Sequence, residues 1–473
     1  MGSYDIGTSE VNMTTADSGD DYTPVSFWFD SLPEPVRPLE PQDFADDIDV
    51  AIVGAGFTGL WTAYYLKQAQ PDLRIAMVEA EVAGFGASGR NGGWCFGESA
   101  GMYDLLDKDA GRAIALMRAM FDTVDEVKRV CDAEGIDCHY ARGGTLSVAH
   151  TAHHARQLEA EVAEMHKLGF TDADYQWLPE TESRRRVNTR LNHGALHFKH
   201  GAAIHPARLA RGLAAHLQNM GVVIHELTPA SAIAPGVVET GRGPLRARKI
   251  VRATEAYTES LRGQQRRILP LYSLMVATEP LPEHAWAEIG LAQRETFSDG
   301  RRMVIYGLRT QDGRLAFGGR GGYDFGSGRK RFVTRDHPGV KQVENILRDV
   351  FPLLADYRFT HGWGGVLGVS RRWRPAVCFD PATGIGSAGG YVGDGVATTN
   401  LAARVLCDLM LERDTELIAL PWVNDTQPRW EPEPLRWLGY TAGSLIAEMA
   451  DRRELRTGKP APIADAILDR LTW

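Results

Sequence analysis

Residues 48–97, IDVAIVGAGFTGLWTAYYLKQAQPDLRIAMVEAEVAGFGASGRNGGWCFG, decide how the rest of the chain is read. Asp49–Val53 is a short apolar run bounded by glycine, as expected of a buried parallel strand. Gly54, Gly56 and Gly59 follow in the spacing G-x-G-x-x-G. The first allows a sharp turn, and the second lets backbone N–H groups approach a pyrophosphate. The third lets a helix over Thr58–Gln70 pack closely on the strand. The positive end of that helix then faces the phosphates. A second apolar strand, Leu73–Val78, ends at Glu79, twenty residues past Gly59. An acid there can accept hydrogen bonds from a ribose hydroxyl. Strand, turn, helix, strand and carboxylate in this order predict a dinucleotide-binding unit of the α/β class.

A second glycine-dense loop, Gly84-Phe85-Gly86-Ala87-Ser88-Gly89-Arg90-Asn91-Gly92-Gly93, comes a few residues later. A second nest of backbone N–H groups beside the first suits a cofactor longer than the first half of NAD. The loop closely resembles that of the D-amino-acid oxidase/sarcosine oxidase superfamily. Within it, GASGRNGG looks most like the γ-glutamylputrescine oxidase-type amine oxidoreductases. The resemblance covers about Ser26 to Pro434, and its nucleotide motifs are more specific than its substrate residues. It implies FAD, with this loop wrapping the pyrophosphate and passing along the flavin. It also implies a Rossmann-like FAD-binding domain of the glutathione-reductase type, joined to a discontinuous antiparallel-sheet substrate domain. The contacts expected on this basis are Gly54, Gly56, Phe57, Thr58 and Gly59, then Glu79 and Ala80. Gly86, Ala87, Ser88, Arg90, Asn91, Gly92 and Gly93 follow in the second loop.

The totals narrow the class. A chain of 473 residues is too long for one core and should hold two packed domains. The hydrophobic content of 44% and charged content of 24% are ordinary for a globular protein. A net charge of −9 offers no basic surface to nucleic acid or to an anionic membrane. The cysteines at 95, 131, 138, 378 and 407 form no C-x-x-C pair, and an odd, sparse set suits a reducing compartment. No stretch reaches eighteen apolar residues and no basic-then-apolar leader opens the chain. A cytoplasmic protein without a metal site is expected.

In chain order, residues 1–25 are expected to be disordered, being mostly polar. Ser26–Phe44, with Phe27, Trp28 and Phe29, reads as an arm laid on the body. Tyr103–Glu134 reads as one amphipathic helix, Gly143–Ala149 as a strand and Ala152–Leu168 as a helix. A strand over Ala247–Thr254 returns to the nucleotide sheet. There the superfamily usually has Ala-Thr-Gly near the adenine, whereas this chain has Ala253-Thr254-Glu255. From Pro270 to Phe359 short alternating strands without crossover helices imply an antiparallel sheet. Gly386–Gly395 reads as a glycine-rich turn opening the helix Val396–Leu411. The resemblance aims that helix at the flavin pyrimidine, through Gly390, Val392, Gly393, Asp394, Gly395 and Val396. A positive helix end there favours the reduced flavin. The FAD-binding domain is therefore expected at 26–100, 201–265 and 376–415. The substrate domain is expected at 101–200 and 266–375, and a covering segment with two short helices at 416–473.

Flavin amine oxidation asks the protein mainly for orientation. The substrate C–H lies over flavin N5 for hydride transfer, and the nitrogen must be uncharged. Arginine suits an anionic group on the substrate, because its fork makes paired hydrogen bonds. Arg320, flanked by four glycines, is the first candidate, with Arg309 and Tyr306 behind it. His205 is a further candidate, though a structural histidine is the commoner reading. Trp363 and Arg374 are read as possible walls of the site. Cys95 and Cys378 match no attachment motif, so the FAD is expected to be non-covalent.

The function expected is oxidation of a C–N bond in a small amine or amino acid carrying an anionic group. The imine is then hydrolysed to an aldehyde or keto acid, with dioxygen as acceptor. Alternatives are an acceptor-dependent dehydrogenase, a non-catalytic flavoprotein subunit, and, further off, a flavin hydroxylase or a tRNA-modifying enzyme. No second G-x-G-x-x-G unit supports the hydroxylase, and the acidic charge opposes RNA binding.

Overall fold

A segment buried on both faces should sit inside a sheet, and Ile48–Val53 does so. In the computed structural model, which describes residues 21–472, it pairs in parallel with Gly243–Arg252 on one side and Ile75–Val78 on the other. Val223–His225 extends the sheet beyond Ile75–Val78, and Ile385–Gly389 extends it beyond Gly243–Arg252, both in parallel. Ala376–Asp380 closes that edge antiparallel to Ile385–Gly389. The helices Phe57–Ala69 and Gly395–Met410 pack against each other, with Ala110–Ala133 against the second. Their apolar faces share one core with the strands.

The second sheet has eight strands and mostly antiparallel neighbours. Its order is Phe359–Val369, Leu269–Thr278, Leu315–Gly322, Ile305–Arg309, Thr296–Asp299, Thr145–Val148, Ala195–Phe198, Tyr175–Leu178. The one parallel pairing joins Thr296–Asp299 to Thr145–Val148, which brings together strands some 150 residues apart. The fold is thus mixed α/β, with sheets of mixed orientation and no closed barrel among the described residues.

Several local expectations need correction. The proposed disorder at 1–25 lies mostly outside the described residues, but Tyr22 and Val25 are buried, clustered with Phe27, Val82 and Phe85. The helix expected over Tyr103–Glu134 is broken. A 3₁₀ turn spans Tyr103–Leu105, and the helix restarts at Ala110 because the Asp109 carboxylate caps the Arg112 N–H. Gly386–Gly389 belongs to a strand, so the turn shrinks to 390–394. Gly318–Gly322 also lies within a strand, where a Cβ on Gly318 would strike Met275 and Tyr306. The tail has one long helix, Leu435–Thr457, before a shorter one, Pro462–Thr472. Among the described residues no helix is long and apolar enough to cross a membrane.

Candidate cofactor and substrate site

The first turn works because two glycines leave no room for anything else. Gly54 has φ +104°, and a Cβ on Gly59 would lie 2.0 Å from the Gly54 carbonyl oxygen. That clash measures how closely the helix Phe57–Ala69 approaches the strand it follows. Glu79, at the end of the second strand, accepts hydrogen bonds from the N–H groups of Ala55 (2.8 Å) and Glu81 (3.1 Å). Burial raises its carboxyl to about 7.

The second loop folds back onto the first, with Ser88 Oγ accepting the Phe57 N–H at 2.8 Å. Its carbonyls are then held by remote donors. Ser26 Oγ donates to Gly89 O at 2.7 Å, Trp28 Nε1 to Asn91 O at 2.8 Å, and Trp363 Nε1 to Arg90 O at 2.9 Å. Arg90 itself is 4% exposed. Its guanidinium stacks 4.3 Å over Phe85 and donates to the carbonyls of Phe85, Arg331 and Gly364.

The last turn is tied to the first by Thr58 Oγ1 and the Tyr391 hydroxyl, 2.9 Å apart. Glu255 adds a second tie, accepting the N–H groups of Gly390 (3.3 Å) and Tyr391 (3.1 Å). Its φ is +41°, a region that explains why glycine is usual at this point. The substituted carboxylate offsets that strain by bridging two backbone donors.

These elements enclose one cavity of about 740 Å³, within the range of cofactor and ligand sites. Gly54, Gly56, Phe57, Thr58, Glu79 and Ala80 line one end, with Ala253 and Thr254 beside them. Gly86, Ala87, Ser88, Arg90, Asn91 and Gly92 form a wall, as do Val392, Gly393, Asp394, Gly395 and Val396. Gly59, Gly93 and Gly390 do not line it; Gly59 acts behind the surface, in helix packing. The antiparallel sheet supplies Thr145, Ser147, Ser273, Ser298, Tyr306 and Arg320.

The chemistry of the lining fits a long, acceptor-rich, anionic ligand such as FAD. Arg90 Nη2 and Trp94 Nε1 are buried without a partner, and both residues line the cavity. Buried donors of this kind are rare unless a ligand or water meets them. Arg90 is also a buried cation with no carboxylate in ion-pair range among the described residues, and burial lowers its pKa. A phosphate or a flavin carbonyl would supply what both lack. No histidine or cysteine lines the cavity.

At the sheet end, the Arg320 guanidinium lies 5.4 Å over the Trp373 ring and makes no hydrogen bond or ion pair with another described residue, its backbone alone being paired in the sheet. Tyr306 shares a hydrogen bond with Ser273, and burial pushes its phenol up to about 12. Asp394 caps the helix Gly395–Met410 without a side-chain hydrogen bond of its own to the helix. Burial pushes its carboxyl up to about 7, with the Arg320 guanidinium pulling the other way.

Two expected catalytic residues are not brought here. Arg309 points from the opposite face of the strand to Tyr306, stacks 4.5 Å over Trp286 and lies 3.7 Å from Glu283. Strand alternation separates positions 306 and 309. His205 is the N-cap of helix Pro206–Asn219, accepting the Arg208 N–H at 3.2 Å and lying 3.1 Å from Ser31 Oγ. Burial pushes it down to about 3. Arg374 is paired with Asp425 at 2.8 Å, and Trp363 is a buried donor to the second loop. The lining residues that the sequence reading missed include Trp94, Tyr257, Ser273, and Arg329 to Arg331. Glu255, beside two assigned positions, carried the one local signal, its departure from glycine.

Known proteins agree with this architecture. The chain is 29% identical over 413 residues to the gamma-glutamylputrescine oxidoreductase of Escherichia coli (strain K12), covering 85% of this chain and 89% of that one. It is 31% identical over 405 residues to the "Probable oxidoreductase OrdL" of Rhizobium meliloti (strain 1021), covering 82% and 89%. The fold matches the crystal structure of glycine oxidase from Geobacillus kaustophilus with a TM-score of 0.67 at 18% identity, over 81% of this chain and all of that one. The family described as FAD dependent oxidoreductase, DAO, matches residues 49–409. With that match spanning most of the chain and a cavity built for an acceptor-rich anion, the protein belongs to the DAO family of FAD-dependent oxidoreductases.

Proposed function

We propose that the protein oxidises the C–N bond of a small amine or amino acid bearing an anionic group. The product is an imine that water hydrolyses to an aldehyde or keto acid, and dioxygen is the final acceptor. The observation that carries this reading is Arg320, a cation lining the cavity with no anionic partner at ion-pair distance. The named activity of the E. coli relative, on an amine carrying a γ-glutamyl group, supports it. The segments 26–100, 201–265 and 376–415 serve as the FAD-binding domain, and 101–200 with 266–375 as the substrate domain.

FAD, when bound, supplies a two-electron acceptor. The chain's own residues do the rest. Arg320 holds the anionic group through its fork, and its position over Trp373 fixes the plane of that fork. Tyr306, anchored by Ser273, walls the site beside it. Asp394 takes a proton from the substrate ammonium, breaking an N–H bond and leaving the nitrogen lone pair free. The absence of histidine and cysteine from the lining supports a cofactor held without a covalent bond.

Two experiments test this. Anaerobic mixing with amino acids, N-methyl amino acids, polyamines and aminophosphonates should bleach the flavin with anionic amines. Bleaching by uncharged-tail polyamines alone would sink the anionic-substrate reading. Asp394 must be charged to accept a proton, so kcat/KM should rise with pH through about 7. Asp394→Asn should remove that rise and lower kcat/KM roughly a hundredfold above it, while converging on the parent at acid pH. A pH profile of Asp394→Asn that keeps the same limb would overturn the role.

A further inference from the structure

The helices Leu435–Thr457 and Pro462–Thr472 lie wholly beyond the family match at 49–409, yet they bear on the substrate end of the cavity. The hairpin of the strands Thr296–Asp299 and Ile305–Arg309 brings Ser298, on its first strand, and Val304, in its turn, into the cavity wall. At its tip, Arg302 is gripped by three carboxylates of the helix pair. Its Nη1 donates to Asp451 Oδ1 (3.0 Å), its Nη2 to Glu454 Oε1 (2.8 Å) and its Nε to Asp465 Oδ1 (2.7 Å). The backbone N–H groups of Arg302 and Met303 donate to the two oxygens of Asp451, at 3.1 and 2.9 Å. Asp451 is 6% exposed and Glu454 is largely buried, so their part of the grip is sheltered from salt and water, whereas Asp465 is half-exposed. Both helices take part, and Glu454 also accepts the Ala461 N–H at their junction.

The first of these helices also packs behind the cavity wall at a second point. Trp437 and Tyr440 pack in the cluster that holds Ala100, Leu367, Val392 and Trp373. The first three line the cavity, and Trp373 carries Arg320 on its face. Arg371 ties the tail to the body, donating to Glu431 ahead of the first helix and to the Leu471 carbonyl in the second.

We propose that this C-terminal helix pair is a clamp that sets substrate access and selection, with Arg302 as the positioning residue through which it acts. The inference rests on the amine-oxidising reading only for the choice of substrate. One face of the clamp fixes the turn at 300–304, and another backs the Trp373–Arg320 stack. The wall that meets the substrate is therefore braced from behind by residues beyond the family match, none of which lines it. Substrate size and charge should depend on this segment, while cofactor binding should not.

Arg302→Ala in the full-length, FAD-loaded protein tests it, with Arg302→Lys as the conservative variant. The flavin content should stay at the parental level. KM for a small anionic amine should rise about tenfold with kcat changed less than roughly twofold. Acrylamide should quench bound-flavin fluorescence about twice as steeply as in the parent. Arg302→Lys should restore most of both properties. Should Arg302→Ala be insoluble, Glu454→Gln carries the same measurements. Unchanged KM and unchanged quenching would overturn the clamp, and so would loss of FAD, which would make the segment a cofactor support. If no amine reduces the flavin even in the parent, the substrate reading fails, and the quenching comparison alone decides the clamp.

Discussion

Gly59→Ala is expected to leave a protein that no longer retains FAD. The new methyl would lie 2.0 Å from the Gly54 carbonyl oxygen and 3.1 Å from Ile52 Cγ2 and Met77 Cε. Gly54 cannot yield by itself, since its φ of +104° is already set by the turn, and it lies so close to the Ala253 carbonyl that a Cβ there would sit 2.6 Å from that oxygen. The helix must move off the strand, at an overpacking cost of about 1–3 kcal/mol or more. That movement displaces the first-turn N–H groups and, through Thr58 and Tyr391, the last turn as well. Flavin absorbance per mole of purified protein reads the outcome. The parent should be yellow and release its colour into an acid supernatant. A Gly59→Ala protein with parental flavin content would refute the role of the turn, and colour in the acid pellet would show a covalent link.

Arg320→Ala is expected to lower kcat/KM for anionic amines by about 2–5 kcal/mol, roughly thirty- to several-thousand-fold, with FAD still bound. The loss should fall on substrates with a carboxylate or phosphonate and spare neutral-tailed amines. A second sign accompanies it. Arg320 holds the Asp394 carboxyl down against the upward push of burial, so its removal should shift the pH limb upward. Arg320→Ala with unchanged selectivity and an unmoved limb would remove the basis of the proposed site.

The nucleotide-binding half was legible because its signals are local. Gly54, Gly56 and Gly59 report a turn and a helix contact through spacing alone, and Glu79 closes the same unit. The sheet end was harder, since its wall combines Thr145, Ser273, Ser298 and Arg320 from strands far apart in sequence. No window of the chain contains that combination. Two misplacements were avoidable. Tyr306 and Arg309 lie three apart on one strand, so the alternation of side chains sends them to opposite faces. His205 precedes a proline at the first position of a helix, which marks it as an N-cap. Glu255 shows the converse. Its departure from glycine looked like a weakness in the adenine-side strand, but only the structure shows its carboxylate bound to Gly390 and Tyr391, some 135 residues on.

The remote donors to the second glycine loop carry a consequence for how the chain is made. Gly89, Arg90 and Asn91 depend on Ser26 and Trp28, which leave the ribosome before them, and on Trp363, which leaves long after. During synthesis the Arg90 carbonyl therefore waits unpaired until about three quarters of the polypeptide has emerged. Such long-range closure is slow, and it exposes the aromatic arm in the meantime. Flavin uptake should then be a late, post-translational event. Pulse-labelled chains should become protected from protease in the 84–93 loop only after the residues around Trp363 have been added.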